Sequence, residues 1–185
     1  EAQTKMGNAL NLLMNGNVFL YYGEELGMKG SGKDENKRAP MYWSKDGNAE
    51  GMCKGPADMD DFRMKFDSLE EQQEDPDSIY NYVKQVIRVR NQNPVIARGT
   101  TAYLEQYSGE QCFALTRSYE GSNLLLLGNT SAEAVSVDLT GLTVGGTTAE
   151  ELVLLGELYT GEEIAERAGT VVTLPAYSIL ILGEE

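Results

Sequence analysis

The sequence predicts an α/β segment followed by an all-β domain. Amphipathic helical stripes and one continuous apolar run occupy its first hundred residues. Short alternating runs punctuated by glycine fill the rest. A chain of 185 residues with 41% hydrophobic and 24% charged residues has enough apolar material for a core. No apolar stretch is long enough to cross a bilayer, so no membrane span is expected.

The first helix is expected from Gln3 to Met14, where Met6, Ala9, Leu10 and Leu13 recur at helical spacing, with Asn15-Gly16 as its C-terminal cap. Val18-Phe19-Leu20-Tyr21-Tyr22 follows without alternation, as in a strand covered on both faces. Residues 29–74 show little periodicity and predict a long irregular excursion. A second helix is expected to start at Asp75-Pro76, to bury Ile79, Tyr82, Val83, Val86 and Ile87, and to stop before Pro94.

From Thr100 onward, strands are expected at 101–107, 112–119, 123–129, 134–139, 152–159, 170–174 and 176–182, the spacing of an antiparallel sandwich. The domain boundary therefore falls near Arg98-Gly99, dividing the chain into 1–99 and 100–185.

Charge and composition exclude several functions. A formal net charge of −14 repels nucleic acid and anionic lipid, so no nucleic-acid partner is expected, while neutral sugars remain compatible. Acidity also serves solubility alone. Cys53 and Cys112 have no metal-like spacing, and the absence of histidine removes the commonest general base and metal ligand. The carboxylates of 58–77 lack the ligand spacing of a calcium loop and read as a solvated acidic surface. The opening Glu1-Ala2-Gln3-Thr4 has neither methionine nor signal-peptide features and reads as the middle of a longer protein, leaving its compartment unspecified.

Two motifs carry a resemblance. Residues 15–28, with Val18-Phe19-Leu20-Tyr21-Tyr22-Gly23-Glu24-Glu25-Leu26-Gly27-Met28 at their centre, closely resemble the last barrel strand of glycoside hydrolase family thirteen, the α-amylase family; Val18 stands where proline is usual. Asp34-Glu35-Asn36-Lys37-Arg38-Ala39-Pro40-Met41-Tyr42-Trp43 is similar to a segment of the loop that follows that strand. Val89 to Pro94 and Leu174 to Ser178 resemble later signatures of the family, so the likeness covers essentially the whole chain.

This resemblance implies the C-terminal part of a (β/α)8 barrel plus an antiparallel Greek-key β-sandwich, in an enzyme acting on α-glucosidic bonds of starch-like glucans or maltooligosaccharides. The family's retaining mechanism uses an aspartate nucleophile, a glutamate acid/base and a second aspartate on earlier strands, so no catalytic residue is expected here. Glu24 and Glu25 imitate a carboxylate pair, but adjacent strand residues point to opposite faces, whereas retaining hydrolysis needs carboxyls about 5 Å apart. Both are expected to be structural.

Arg38 matches an arginine near the subsite for the non-reducing sugar, paired in the family with an acid from an earlier loop; it serves either as a sugar contact or as a pin for its loop. Trp43 offers a stacking face or core packing beneath the loop. No cofactor or metal ligand is expected in this chain, although calcium is possible in the parent. The expected partners are an α-glucan or oligosaccharide and the remainder of the barrel, because residues 1–99 alone would leave open strand edges and uncovered helix faces. The sandwich is expected to close its own core. Polymeric starch is met outside cells, which suits a secreted or surface-bound parent. A non-catalytic relative used as a binding or partner scaffold, or a free carbohydrate-binding module, are the competing readings.

Overall fold

Three layers stack in this protein: a pack of helices, a five-stranded sheet and a smaller three-stranded sheet. The structure, a computed structural model, describes residues 1–184. The helices are α1 (Ala2–Leu12), α2 (Leu69–Glu74), α3 (Ile79–Gln92) and α4 (Pro94–Arg98). Ten strands follow: β1 (Thr100–Tyr103), β2 (Cys112–Tyr119), β3 (Ser122–Asn129), β4 (Val135–Asp138), β5 (Thr143–Val144), β6 (Thr147–Thr148), β7 (Val153–Tyr159), β8 (Glu166–Ala168), β9 (Val171–Leu174) and β10 (Ser178–Gly183). The fold class expected from the sequence, α/β followed by all-β, is the one observed.

The larger sheet runs β1-β2-β3-β10-β7 and the smaller β4-β9-β8, with β5-β6 as a separate hairpin; every pairing is antiparallel. The chain passes from β3 to β4 and returns from β9 to β10, so neighbours in one sheet continue as neighbours in the other. That exchange makes a sandwich rather than a flat meander.

Strands β3 and β10 explain why the layers stay together. Leu124, Leu126, Ile179 and Ile181 pack with Met6, Ala9, Val83, Val86 and Ile96 of the helices. Their alternate neighbours Leu125, Leu127, Leu180 and Leu182 pack with Val137, Val172 and Leu174 of the smaller sheet. Successive strand residues face opposite sides, so a sheet buried on both faces needs an unbroken apolar run. Fully burying each such leucine or isoleucine contributes about 1.5–3 kcal/mol. Much of the helix surface expected to be uncovered is therefore covered by the sandwich itself, while Leu10 and Ile87, the latter expected to be buried, stay exposed; one core crosses residue 99.

Several local expectations change. Val18–Tyr22 forms no ladder with any strand among the described residues, and Phe19 is 86% exposed. A parallel strand is held by neighbours on its edges, and the strands described here pair only with one another, all antiparallel. The second helix begins at Ile79, not at Asp75-Pro76, because the Ser78 hydroxyl accepts the Asn81 N–H at 3.2 Å and caps it. The acidic stretch holds the short α2, started by a capping box in which Ser68 and Glu71 satisfy each other's backbone N–H groups. Pro94 stops α3 as expected and then opens α4 from the first turn, where its missing N–H costs nothing. The strand expected at 101–107 ends at Tyr103 and gives way to a 3-10 turn over Glu105–Tyr107. The β5-β6 hairpin and β8, each of two or three residues, lie outside the expected strands.

Candidate functional site

Gly23 and Gly27, both with positive φ (87° and 65°), bracket a 3-10 turn over Glu24–Leu26 at the end of the Val18–Tyr22 segment. Glycine takes this left-handed backbone without a Cβ clash. The turn changes the reason Glu24 and Glu25 are structural. They do not lie on opposite faces of a strand; Glu24 Oε2 accepts the Tyr21 N–H at 3.2 Å and Glu25 Oε2 accepts the Gly23 N–H at 2.8 Å. Both carboxylates are spent on their own turn, at the end where backbone N–H groups are unpaired.

Beside this turn lies a cavity of about 320 Å³, lined by Tyr21, Tyr22, Glu24, Lys29, Asn36 and Lys37 among others. Its lining combines the aromatic Tyr21 and Tyr22 with the cations Lys29 and Lys37 and the acid Glu24. The Tyr21 and Tyr22 rings stand 4.8 Å apart between centroids, and the Tyr22 hydroxyl donates to the Ala39 carbonyl at 3.0 Å, tying the turn to the following loop. Partial burial, and next Tyr21, push the Tyr22 phenol above its ordinary pKa; Cys53 adds to this and the positive charge of Arg38 opposes it.

The loop beyond the turn is organised by Asn36. This buried amide donates to the Ser31 carbonyl and to Asp60 Oδ2, both at 2.8 Å, and accepts the Asp60 N–H at 2.9 Å. Gln72 does the same for the far end, donating to the Leu26 carbonyl at 3.0 Å and to the Asp67 carbonyl at 2.7 Å while accepting the Tyr80 N–H at 3.1 Å. The excursion expected to be mostly irregular is thus pinned at defined points.

Arg38 stands on a 3-10 turn, Asp34–Arg38, with its side chain 61% exposed and its guanidinium 3.2 Å from Asp34 Oδ2. Within this chain its acid partner comes from its own motif, four residues earlier. One-point pairing at an exposed site leaves most of its five donors free for another acceptor. Trp43 is 43% exposed; its backbone N–H donates to the Met41 carbonyl, and its carbonyl accepts the Glu70 N–H at 3.1 Å, the latter fixing it to the start of α2. Tyr22, Asn36 and Lys37 thus line one rim, Arg38 follows Lys37 on the same turn, and the Trp43 ring is left half open. Among the described residues, no three Asp, Glu or Cys side chains converge as a metal site would require.

Asn36 and Asp60 were not singled out from sequence. Asn36 sits inside a motif whose arginine drew attention first, and Asp60 is 24 residues away in a stretch without periodicity. An asparagine flanked by charged residues was the available signal, since a buried amide needs partners for both ends of its side chain.

A model of the α-amylase catalytic domain matches residues 1–99. Among solved structures, the chain is similar to Eubacterium rectale Amy13B, with 43% identity and a TM-score of 0.92 over 100% of this chain and 35% of that one. It is 28% identical to a trehalose synthase of Thermus thermophilus over 71% of this chain and 15% of that protein. An α-amylase of Streptomyces lividans is 26% identical over 96% of this chain and 18% of its own length. The chain thus spans about a third or less of these relatives. Covering that share of a larger amylase-type chain, its helices and antiparallel sandwich agree with the expected fold class, the last part of a (β/α)8 barrel followed by a sandwich.

Proposed function

Because this chain belongs to the α-amylase family, we propose that it closes the catalytic barrel, and buttresses it with the sandwich, in a glycoside hydrolase acting on α-glucosidic bonds of starch-like glucans or maltooligosaccharides. The observation that carries the reading is the rim of Tyr21, Tyr22, Asn36 and Lys37, with Arg38 next on the same 3-10 turn, beside a segment that resembles the family's last barrel strand. In a barrel enzyme, chemistry takes place where the strands end, and the Glu24–Leu26 turn lies at that end of the Val18–Tyr22 segment.

A retaining mechanism needs two carboxyls about 5 Å apart across the scissile bond, one attacking the anomeric carbon and the other moving the proton. Glu24 and Glu25 are committed to backbone N–H groups, and the family resemblance assigns both roles to residues outside this sequence. What this chain contributes is orientation. Arg38 offers forked N–H donors to sugar hydroxyls, and Trp43 a half-open ring for the apolar face of a pyranose. A calcium ion in the parent would be held by other segments. The Phe19 and Leu20 side chains left open here would be covered by the remainder of the barrel, and contact with polymeric starch suits export of the parent.

The test uses the full-length protein. It is expected to cleave maltooligosaccharides with retention at the anomeric carbon, followed by proton NMR of the first product, while the 185-residue chain alone shows no turnover. Arg38→Ala is expected to raise KM about tenfold, with a smaller change in kcat. Absence of α-glucan cleavage by the full-length protein would refute the reading, as would turnover by the 185-residue chain.

A further inference from the structure

Helix α1 ends without the glycine cap expected at Asn15-Gly16; its last helical turn closes at Leu13, and two guanidiniums from distant elements take up the carbonyls. Arg90, on α3, donates to the carbonyls of Leu12 at 2.7 Å and of Met14 and Gly16 at 2.6 Å each. Arg117, on β2, donates to Leu13 at 3.1 Å and to Ile96 at 3.0 Å. Five carbonyls, some at the negative end of the α1 dipole, thus hold two positive charges.

Arg117 is the unusual member. It is 5% exposed, lies on the helix-facing side of the middle sheet, and has a buried Nε with no partner. Loss of hydration, and next the Arg90 charge, lower its pKa. An apolar side chain would fill such a site at less cost, because a buried charge loses its hydration. What an apolar side chain lacks is direction.

We infer that Arg117 is a positioning residue, through which the β-sandwich fixes the end of α1 and thereby the rim of the candidate site. Hydrogen bonds carry the link onward. Asn11 of α1 donates to the Phe19 carbonyl at 2.9 Å, Asn8 donates to the Glu24 carbonyl at 3.2 Å, and the Gly16 N–H donates to Ala97 at 2.7 Å. Moving the end of α1 therefore moves the backbone on both sides of Tyr21 and Tyr22. The inference rests on the proposed function only in taking that rim to face substrate.

The test compares Arg117→Lys and Arg117→Gln with Leu127→Ala in the full-length protein. Lysine keeps the charge but cannot fork, glutamine keeps polar reach without charge, and Leu127→Ala weakens the same sheet from its other face, in the core that holds no α1 residue. Hydrogen exchange in residues 14–24 is expected to speed up about tenfold in the Arg117 variants while β2 and β3 stay protected. A fall in kcat/KM of about tenfold on maltooligosaccharides accompanies it, and Leu127→Ala shows neither effect at matched loss of Tm. Unchanged exchange in 14–24, or a rise shared by the whole sheet and by Leu127→Ala, overturns the inference. So does failure of both Arg117 variants to fold, which would make it a folding residue. If the wild-type protein cleaves no α-glucan, the functional reading fails, and the exchange data still decide the positioning role.

Discussion

Asn36 and Asp60, 24 residues apart, bond to each other in both directions: the amide of Asn36 donates to the carboxylate of Asp60 at 2.8 Å, and the N–H of Asp60 returns to the amide oxygen at 2.9 Å. This exchange closes the first half of the long loop and, through the Asn36 bond to Ser31, holds the turn that carries Arg38. Asn36→Ala leaves the Asp60 N–H and the Ser31 carbonyl without partners and is expected to cost about 1–3 kcal/mol. Limited proteolysis checks it: new cleavage should appear between residues 29 and 67 before any in the sandwich.

The same pair is sensitive to acid. The hydrogen bond from Lys33, and next that from Asn36, hold the Asp60 carboxyl below its ordinary pKa. A depressed pKa means stabilisation fully present above the unfolded value near ~3.9 and lost as pH falls through the lower folded value. Loop cleavage by an acid-tolerant protease should therefore rise only below about pH 4. In Asp60→Asn the loop should already be loosened at neutral pH, and that acid step should disappear. High salt should mimic part of the effect, since the Lys33 pair is half exposed.

Strands β2 and β3 are joined by Glu120 and Gly121, with φ of 50° and 85°. Two central residues with positive φ define the hairpin turn that matches strand twist, and asparagine suits its first position better than glutamate. Glu120→Asn should stabilise the protein by about 0.5 kcal/mol and Gly121→Ala should destabilise it by about 1 kcal/mol or more. Both are read as shifts of the denaturation midpoint at constant m-value.

Leu126 and Leu127 are adjacent on β3 and belong to different cores, Leu126 beneath the helices and Leu127 beneath the smaller sheet. Truncating either to alanine in the whole chain should cost about 2–5 kcal/mol. In an excised 100–185 polypeptide, Leu126 faces solvent with Leu124, Leu158, Ile179 and Ile181, so Leu126→Ala should cost far less there than Leu127→Ala. That polypeptide should also bind a hydrophobic dye and self-associate, signs of an exposed apolar face. Equal costs for the two truncations would mean that the sandwich closes without the helices.

The candidate site was legible in part. Arg38 and Trp43 stand out because a lone tryptophan and an arginine in a dense motif are rare chemistry in this sequence, but their surroundings depend on contacts across the loop. Within this chain Arg38 pairs with Asp34, four residues earlier on the same turn. Arg117 carries no mark of burial in the sequence of its strand. Only the arrival of the ends of α1 and α4 above β2 gives it acceptors, and nothing in residues 112–119 announces that arrival.

By itself the sequence determined what depends on periodicity and local backbone chemistry: the apolar stripe of α3 apart from Ile87, which is exposed, the stop before Pro94 and the antiparallel strands after Thr100. Tertiary structure decided which face of each element meets which layer, that β3 and β10 lie in a middle sheet, and that Val18–Tyr22 has no strand partner within this chain. The physical reason is range. A residue's own φ and ψ, and its neighbours three or four positions away, set helices and turns; ladders, buried guanidiniums and shared cores require groups brought from a hundred residues away, as Arg117 is to Leu13.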